Sequence, residues 1–125
     1  MTIDKLRILV VDDNHDAADS LARLLVSVGH KTHVAYGGRD AVIEAAAVLP
    51  DVAILDIGMP GFNGFDLARE LRSARHPVPV LIALTGWPRE SVEKHGEFDH
   101  FLSKPVSLDS LITLLGSIVR RNDRL

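Results

Sequence analysis

Apolar residues in this chain gather in short runs separated by segments of helical period. The runs are Leu6–Val11, Val52–Leu55, Val78–Leu84 and a weaker one at Phe98–Leu102. The first and third are continuous rather than alternating, as strands covered on both faces of a parallel sheet should be. Lys31–Tyr36 alternates more and is less apolar, which suits an edge strand. Between the runs, Ala18, Leu21, Ala22, Leu25 and Val28 form one helical stripe, with Gly29 as a natural stop. Ala41, Val42, Ala45, Ala46 and Leu49 form a second, closed by Pro50, and Leu67, Ala68 and Leu71 mark a third. The clearest stripe is Leu108, Leu111, Ile112, Leu115 and Val119, with Ser107 placed to cap its start. The stretch Pro88–His95 has room only for a short helix. Strand and helix thus alternate five times, which predicts an α/β fold: an open, doubly wound parallel sheet with helices on both faces.

Size and charge narrow the picture. A length of 125 residues predicts one domain over 1–125. The chain is 46% hydrophobic and 25% charged, an ordinary globular balance, and its net charge of −3 offers no basic face for nucleic acid. Arg120, Arg121 and Arg124 read as cations favoured at a helix C-terminus. Absence of cysteine excludes disulfides, thiolate metal sites and a thiol nucleophile. The first residues run straight into a strand without a signal-peptide core, and no apolar stretch approaches the ~20 residues of a membrane span. The expectation is a cytoplasmic domain with neither nucleic acid nor membrane as partner. Only a few polar residues follow the last helix, so no attached output domain is expected.

In an open α/β sheet, ligands sit beyond the carboxyl ends of the strands. Asp12 and Asp13 follow the first run, Asp56 the third strand's run, Thr85 the fourth, and Lys104-Pro105 the fifth. The edge strand ends in Gly37-Gly38, which says nothing. Each residue has a local explanation. Asp13 or Asn14 could cap the first helix, Asp56 could sit in the turn containing Pro60, Gly61 and Asn63-Gly64, and Thr85 could simply end a strand. Turn chemistry gives no reason, however, for three carboxylates, a hydroxyl and an ammonium to share one edge of a sheet.

Three close carboxylates repel one another and favour a cation. Oxygen ligation without His or Cys suits Mg2+. A carboxylate also attacks phosphorus to give an aspartyl phosphate. Phosphoryl transfer then needs positioning and charge neutralisation, which a metal, a Lys ammonium and a Thr hydroxyl supply.

The segments Ile8-Leu9-Val10-Val11-Asp12-Asp13-Asn14, Leu55-Asp56-Ile57-Gly58-Met59-Pro60 with Gly64, Leu84-Thr85-Gly86 and Lys104-Pro105 together resemble the response-regulator receiver family nearly end to end. The resemblance implies a five-stranded sheet of order 2-1-3-4-5, as in flavodoxin-like folds. It implies that Asp56 accepts a phosphoryl group from a sensor histidine kinase or a histidine phosphotransfer protein. Mg2+ is then held by Asp12 or Asp13 with Asp56 and the Gly58 carbonyl. Thr85 and Lys104 bind the phosphoryl oxygens, and Phe101 occupies the family's aromatic switch position, turning inward as Thr85 is drawn to the phosphate.

Two features depart from the family pattern. The interval from Thr85 to Lys104 is short and begins Gly86-Trp87-Pro88, so the fourth helix is expected to be truncated or re-angled. Partner modes that use that helix do not transfer, and a homodimer stays open. Trp87 lies two residues past Thr85, where its bulk could limit water access to the phosphoryl group while small Gly58 opens the other side; packing is the competing role for Trp87. The histidines, His15, His30, His33, His76, His95 and His100, show no helical pairing and read as scattered. Two other functions compete with the switch. A phosphatase or phosphomutase with an Asp nucleophile usually carries a second Asp two residues later, where this chain has Gly58. A pure interaction module would not need the full set of site residues.

Overall fold

The computed structural model describes residues 5–59, 62–74, 77–93 and 96–118. The chain order is β1 (Arg7–Val11), α1 (His15–Ser27), β2 (Lys31–Ala35), α2 (Gly38–Val48), β3 (Val52–Asp56), α3 (Gly64–Ser73), β4 (Val80–Thr85), α4 (Arg89–Glu93), β5 (His100–Ser103) and α5 (Leu108–Gly116). All strand pairs are parallel and the sheet order is β2-β1-β3-β4-β5, the order the resemblance implied. The two central apolar runs are β1 and β3, and the least apolar strand, β2, lies at an edge as its alternation predicted. Strands β4 and β5 each start two residues later than their apolar runs, at Val80 and His100.

Alternation along each strand divides the core in two. Ile8, Val10, Ile54, Ile82, Leu84 and Leu102 face α1 and α5, packing on Leu21, Leu25, Leu111 and Leu115. Leu9, Val11, Ala53, Leu55 and Leu81 face α2 and α3, packing on Ala41, Ala45, Leu67 and Leu71. A fully buried leucine contributes about 2 kcal/mol by leaving water, so both faces of the sheet hold the helices down. Ala46, placed on the α2 stripe from the sequence, is exposed. The buried positions of α2 are Gly38, Ala41 and Ala45, a stripe narrow enough for the helix to lie close to the sheet.

The helix ends follow capping chemistry. The Asn14 side chain accepts a hydrogen bond from the Ala17 N–H, and Ser107 accepts one from Ser110 N–H. Asn63 does the same for Asp66 N–H at the start of α3. Helix α1 is followed by Gly29, whose φ of 103° is open to glycine at little cost. Its N–H bonds the Val26 carbonyl, and His30 N–H bonds that of Leu25. Helix α4 is a short segment, Arg89–Glu93, with Val92 as its buried residue. The truncation expected from the Thr85–Lys104 interval is therefore present. Pro60, Gly61, His76, His95, Val119, Arg120, Arg121 and Arg124 lie outside the described residues.

Candidate functional site

Register determines which side chains meet at the carboxyl edge. Val11 is paired with Leu55, so Asp12 and Asp56 are the next residues along two adjacent strands. Asp56 is paired with Leu84, and Thr85 with Ser103, which brings Thr85 and Lys104 to the same edge. The five polar residues read from the strand ends therefore converge. Asp12, Asp56 and Thr85 are buried, at 2%, 7% and 3% exposure, while Asp13 and Lys104 reach toward solvent.

Contacts within the site are specific. Lys104 Nζ lies 3.3 Å from Asp56 Oδ1, the same oxygen that accepts the Gly58 N–H at 3.0 Å. Asp12 Oδ1 accepts the Asn14 N–H at 3.0 Å. Thr85 Oγ1 accepts the Trp87 N–H at 2.8 Å, leaving its own proton to donate elsewhere. The Lys104 N–H bonds the Thr85 carbonyl at 2.9 Å, tying the lysine's backbone to the end of β4, and the Lys104–Pro105 peptide is cis.

The carboxylates of the site crowd negative charge together. Burial pushes the Asp12 carboxyl up to about 6; the Asn14 N–H pulls against this, the adjoining Asp56 carboxyl raises it further, and the Lys104 ammonium lowers it. One oxygen from each of Asp12, Asp13 and Asp56 lies within 4.8 Å of the others. Such an oxygen-only, acidic donor set fits a hard divalent cation of the Mg2+ kind, which the single Lys104 ammonium does not replace.

Gly58 is exposed, and a Cβ there would meet Asp56 Oδ1 only at 3.6 Å, so its small size is not forced by packing. Gly64 is different. A Cβ at that position would come within 2.6 Å of Ile57 Cα and 2.8 Å of the Asp56 carbonyl oxygen. Glycine there lets α3 start directly against the backbone that carries Asp56. Trp87 is 54% exposed, which removes core packing as its role. Phe101 is half-buried and paired with Ala83, two residues before Thr85 on β4.

Sequence reasoning missed two groups near the site. His15 stacks on Tyr36 with ring centroids 3.8 Å apart, and the Tyr36 hydroxyl donates to Asp19 Oδ1 at 2.6 Å. This fastens the end of β2 to the start of α1, beside the acidic residues. Phe98 and Arg89 flank Phe101, and Phe65 lies beyond Phe98. Neither group had a signal in the sequence, because its members belong to elements that meet only in the folded chain. A cavity of about 660 Å3 opens beside Asp12 and Lys104, between α1 residues Ala17, Leu21 and Leu24 and the loop residues Pro105 and Val106.

Comparison with known proteins matches this geometry to a family. Residues 8–116 match the family described as the response regulator receiver domain. The response regulator MprA of Mycolicibacterium vanbaalenii is 36% identical over 121 residues, covering 93% of this chain and 51% of that protein. The Mycobacterium avium protein of the same name is 35% identical over an equal span. The chain thus spans about half the length of these curated relatives. Among solved structures, the CheY-like receiver domain from Methylobacillus flagellatus superposes with a TM-score of 0.82 at 26% identity, covering 93% of this chain and all of the other. The signal receiver domain from Bermanella marisrubri gives 0.81 at 29% identity, covering 91% and 98%.

Proposed function

Because the chain belongs to the response-regulator receiver family, whose general function is phosphorylation-dependent two-component signalling, we propose that Asp56 is its phosphoacceptor and that 1–125 works as one receiver unit. The observation that carries this reading is the Asp56 carboxylate, buried at a strand end between the Asp12 carboxylate and the Lys104 ammonium. A surface turn residue would have neither the burial nor the two partners.

In the reaction, a carboxylate oxygen of Asp56 attacks the phosphorus of a phosphohistidine on the donor. The O–P bond forms as the P–N bond breaks, and the electron pair leaves with the imidazole nitrogen. Lys104 neutralises developing charge on the phosphoryl oxygens, and the Thr85 hydroxyl, already accepting from Trp87 N–H, donates to one of them. Asp12, Asp13, Asp56 and the Gly58 carbonyl are the groups that would hold Mg2+. The ion would supply charge neutralisation that lets the acidic pocket accept a further anion. Gly58 and Trp87 flank the route by which water reaches the phosphoryl group. The chain acts on its own phosphorylation rather than turning over a separate substrate.

The donor is a sensor histidine kinase or a histidine phosphotransfer protein. The cavity between α1 and the Pro105-Val106 loop supports this, because it is largely apolar and opens beside Lys104. A donor helix seated there would bring its phosphohistidine over Asp56. This reading places the protein in the cytoplasm, and no helix of the described residues is long and apolar enough to cross a membrane. The test is intact-protein mass spectrometry after incubation with Mg2+ and acetyl phosphate, with Asp56→Asn alongside. A Mg2+-dependent gain of one phosphoryl group, absent from the variant, is the expected result. No gain in a folded protein that is also inert to a phosphohistidine donor would leave a phosphate-independent interaction module.

A further inference from the structure

Behind the phosphorylation site, three phenylalanine rings run in a row from β5 to α3. Phe101 of β5 lies 6.4 Å from Phe98, centroid to centroid, and Phe98 lies 5.9 Å from Phe65 of α3 in an edge-to-face arrangement. All three are half-buried and pack on one small cluster made by Ile57, Ala83 and Val92. Ile57 directly follows Asp56, and Ala83 is two residues before Thr85 on the same face of β4. Val92 is the buried anchor of α4. On its outer side, Phe101 carries the Arg89 guanidinium 5.0 Å from its centroid, and Glu93 Oε2 holds Arg89 Nε at 2.8 Å.

The segment bearing Phe98 is tied to α3 by more than rings. Arg72 Nε donates to the Glu97 carbonyl at 2.8 Å, and the Arg72 guanidinium lies 3.3 Å from Asp99 Oδ1. Arg69 lies 3.5 Å from Glu97. The other Asp99 oxygen accepts Leu81 N–H of β4 at 2.8 Å. A displacement of Phe98 therefore cannot be absorbed locally, since its neighbours on both sides in sequence are fastened to α3 or β4.

We infer that the Phe101–Phe98–Phe65 row is a mechanical relay that carries the phosphorylation signal from β5 to α3, with the Arg89–Glu93 pair as the clip that holds Phe101 in its unphosphorylated position. The inference rests on Asp56 being the acceptor. Its physical basis is that packed interiors tolerate neither voids nor overlaps. Phe101 already packs on the Ala83 cluster, so any shift of its ring on phosphorylation alters its contacts with the Arg89 guanidinium and with Phe98 together. Phe98 follows to fill the space, and Phe65 with it. Among the described residues of short α4, Val92 is the one buried against this cluster, so α3 and the loop before β5 become the responsive surface.

The test is hydrogen–deuterium exchange on the full chain with Mg2+, with and without acetyl phosphate. Wild type is compared with Phe98→Leu and with Phe65→Leu, two variants that shorten the row at different points while keeping an apolar side chain. Phosphoryl uptake is followed in parallel by intact mass. In wild type, phosphorylation should change exchange in residues 62–73 by about twofold or more, the lower end of coupling between contacting residues. Each variant should take up phosphate normally and lose most of that change. A wild-type α3 that does not respond despite full phosphorylation overturns the relay, as does a response retained in both variants. Absence of phosphoryl uptake in all three overturns the acceptor assignment, and the relay falls with it.

Discussion

Lys104 Nζ stands 3.3 Å from Asp56 Oδ1, bridging from the loop after β5 across β4 to the end of β3. The contact joins an exposed ammonium to a carboxylate buried to 7% exposure, so the lysine is the mobile partner and the aspartate the fixed one. On the proposed acceptor role of Asp56, Lys104 would shift its hold from carboxylate to phosphate. Replacing it with methionine keeps the apolar stem and removes the charge. Lys104→Met should slow phosphorylation by acetyl phosphate on the order of 10²-fold, the usual loss for one preorganised charge-stabilising donor. Stopped-flow phosphorylation or timed mass spectrometry reads this directly, and an unchanged rate would remove Lys104 from the site.

Burial and the Asp56 carboxylate both oppose the ionised form of Asp12. Asp12→Asn keeps the acceptor for the Asn14 N–H and removes the charge. At neutral pH without Mg2+ it should therefore stabilise the fold by on the order of 1–3 kcal/mol. Added Mg2+ should raise the melting temperature of wild type and barely move that of the variant. A variant less stable than wild type without Mg2+ would contradict this account of the pocket.

Trp87 and Gly58 differ in what they present near Asp56. The Trp87 backbone is held to Thr85, and the residue is 54% exposed. Trp87→Ala should lose phosphate faster than wild type, by about tenfold if the ring limits the attacking water's approach. Gly58→Gln, which fits because a Cβ there meets nothing closer than 3.6 Å, should lose it more slowly. Decay of the phosphorylated mass peak after removal of acetyl phosphate measures both. A Trp87→Ala decay equal to wild type would leave Trp87 without a role in access.

His30 sits far from this chemistry, at the opposite end of the sheet, and is 4% exposed. Its Nδ1 accepts the Leu6 N–H at 3.1 Å, which requires the neutral ring, and burial pushes its pKa below the ordinary 6.5. Between the lowered folded value and 6.5, the unfolded chain binds a proton that the folded one does not. The His30 contribution is thus complete above pH 6.5 and fades as the pH falls below it. Urea unfolding from pH 7.5 to 5 should show wild type losing this contribution, and the difference from His30→Ala should shrink toward acid. His30→Ala should also be less stable at pH 7.5 by about 1–3 kcal/mol, since Leu6 N–H is left unpaired. A difference that does not vary with pH would show that His30 does not titrate with folding.

The sequence by itself determined the alternation of strands and helices and the residues at the carboxyl ends. Those features follow from local rules: apolar period, capping by Asn14 and Ser107, and the alignment of strand ends in a parallel sheet. It also located the short α4, because the number of residues between Thr85 and Lys104 limits what a helix there can be. Only the tertiary structure decided which oxygen of Asp56 meets Lys104, that Gly64 is required by the backbone beneath it, and that Trp87 stays exposed while Ala46 faces outward. The same holds for the stack of His15 on Tyr36 and for the row of Phe65, Phe98 and Phe101. Their partners come from different elements, and side-chain contacts between elements depend on register and packing angle. A pattern of apolar and polar positions along one chain does not encode either locally.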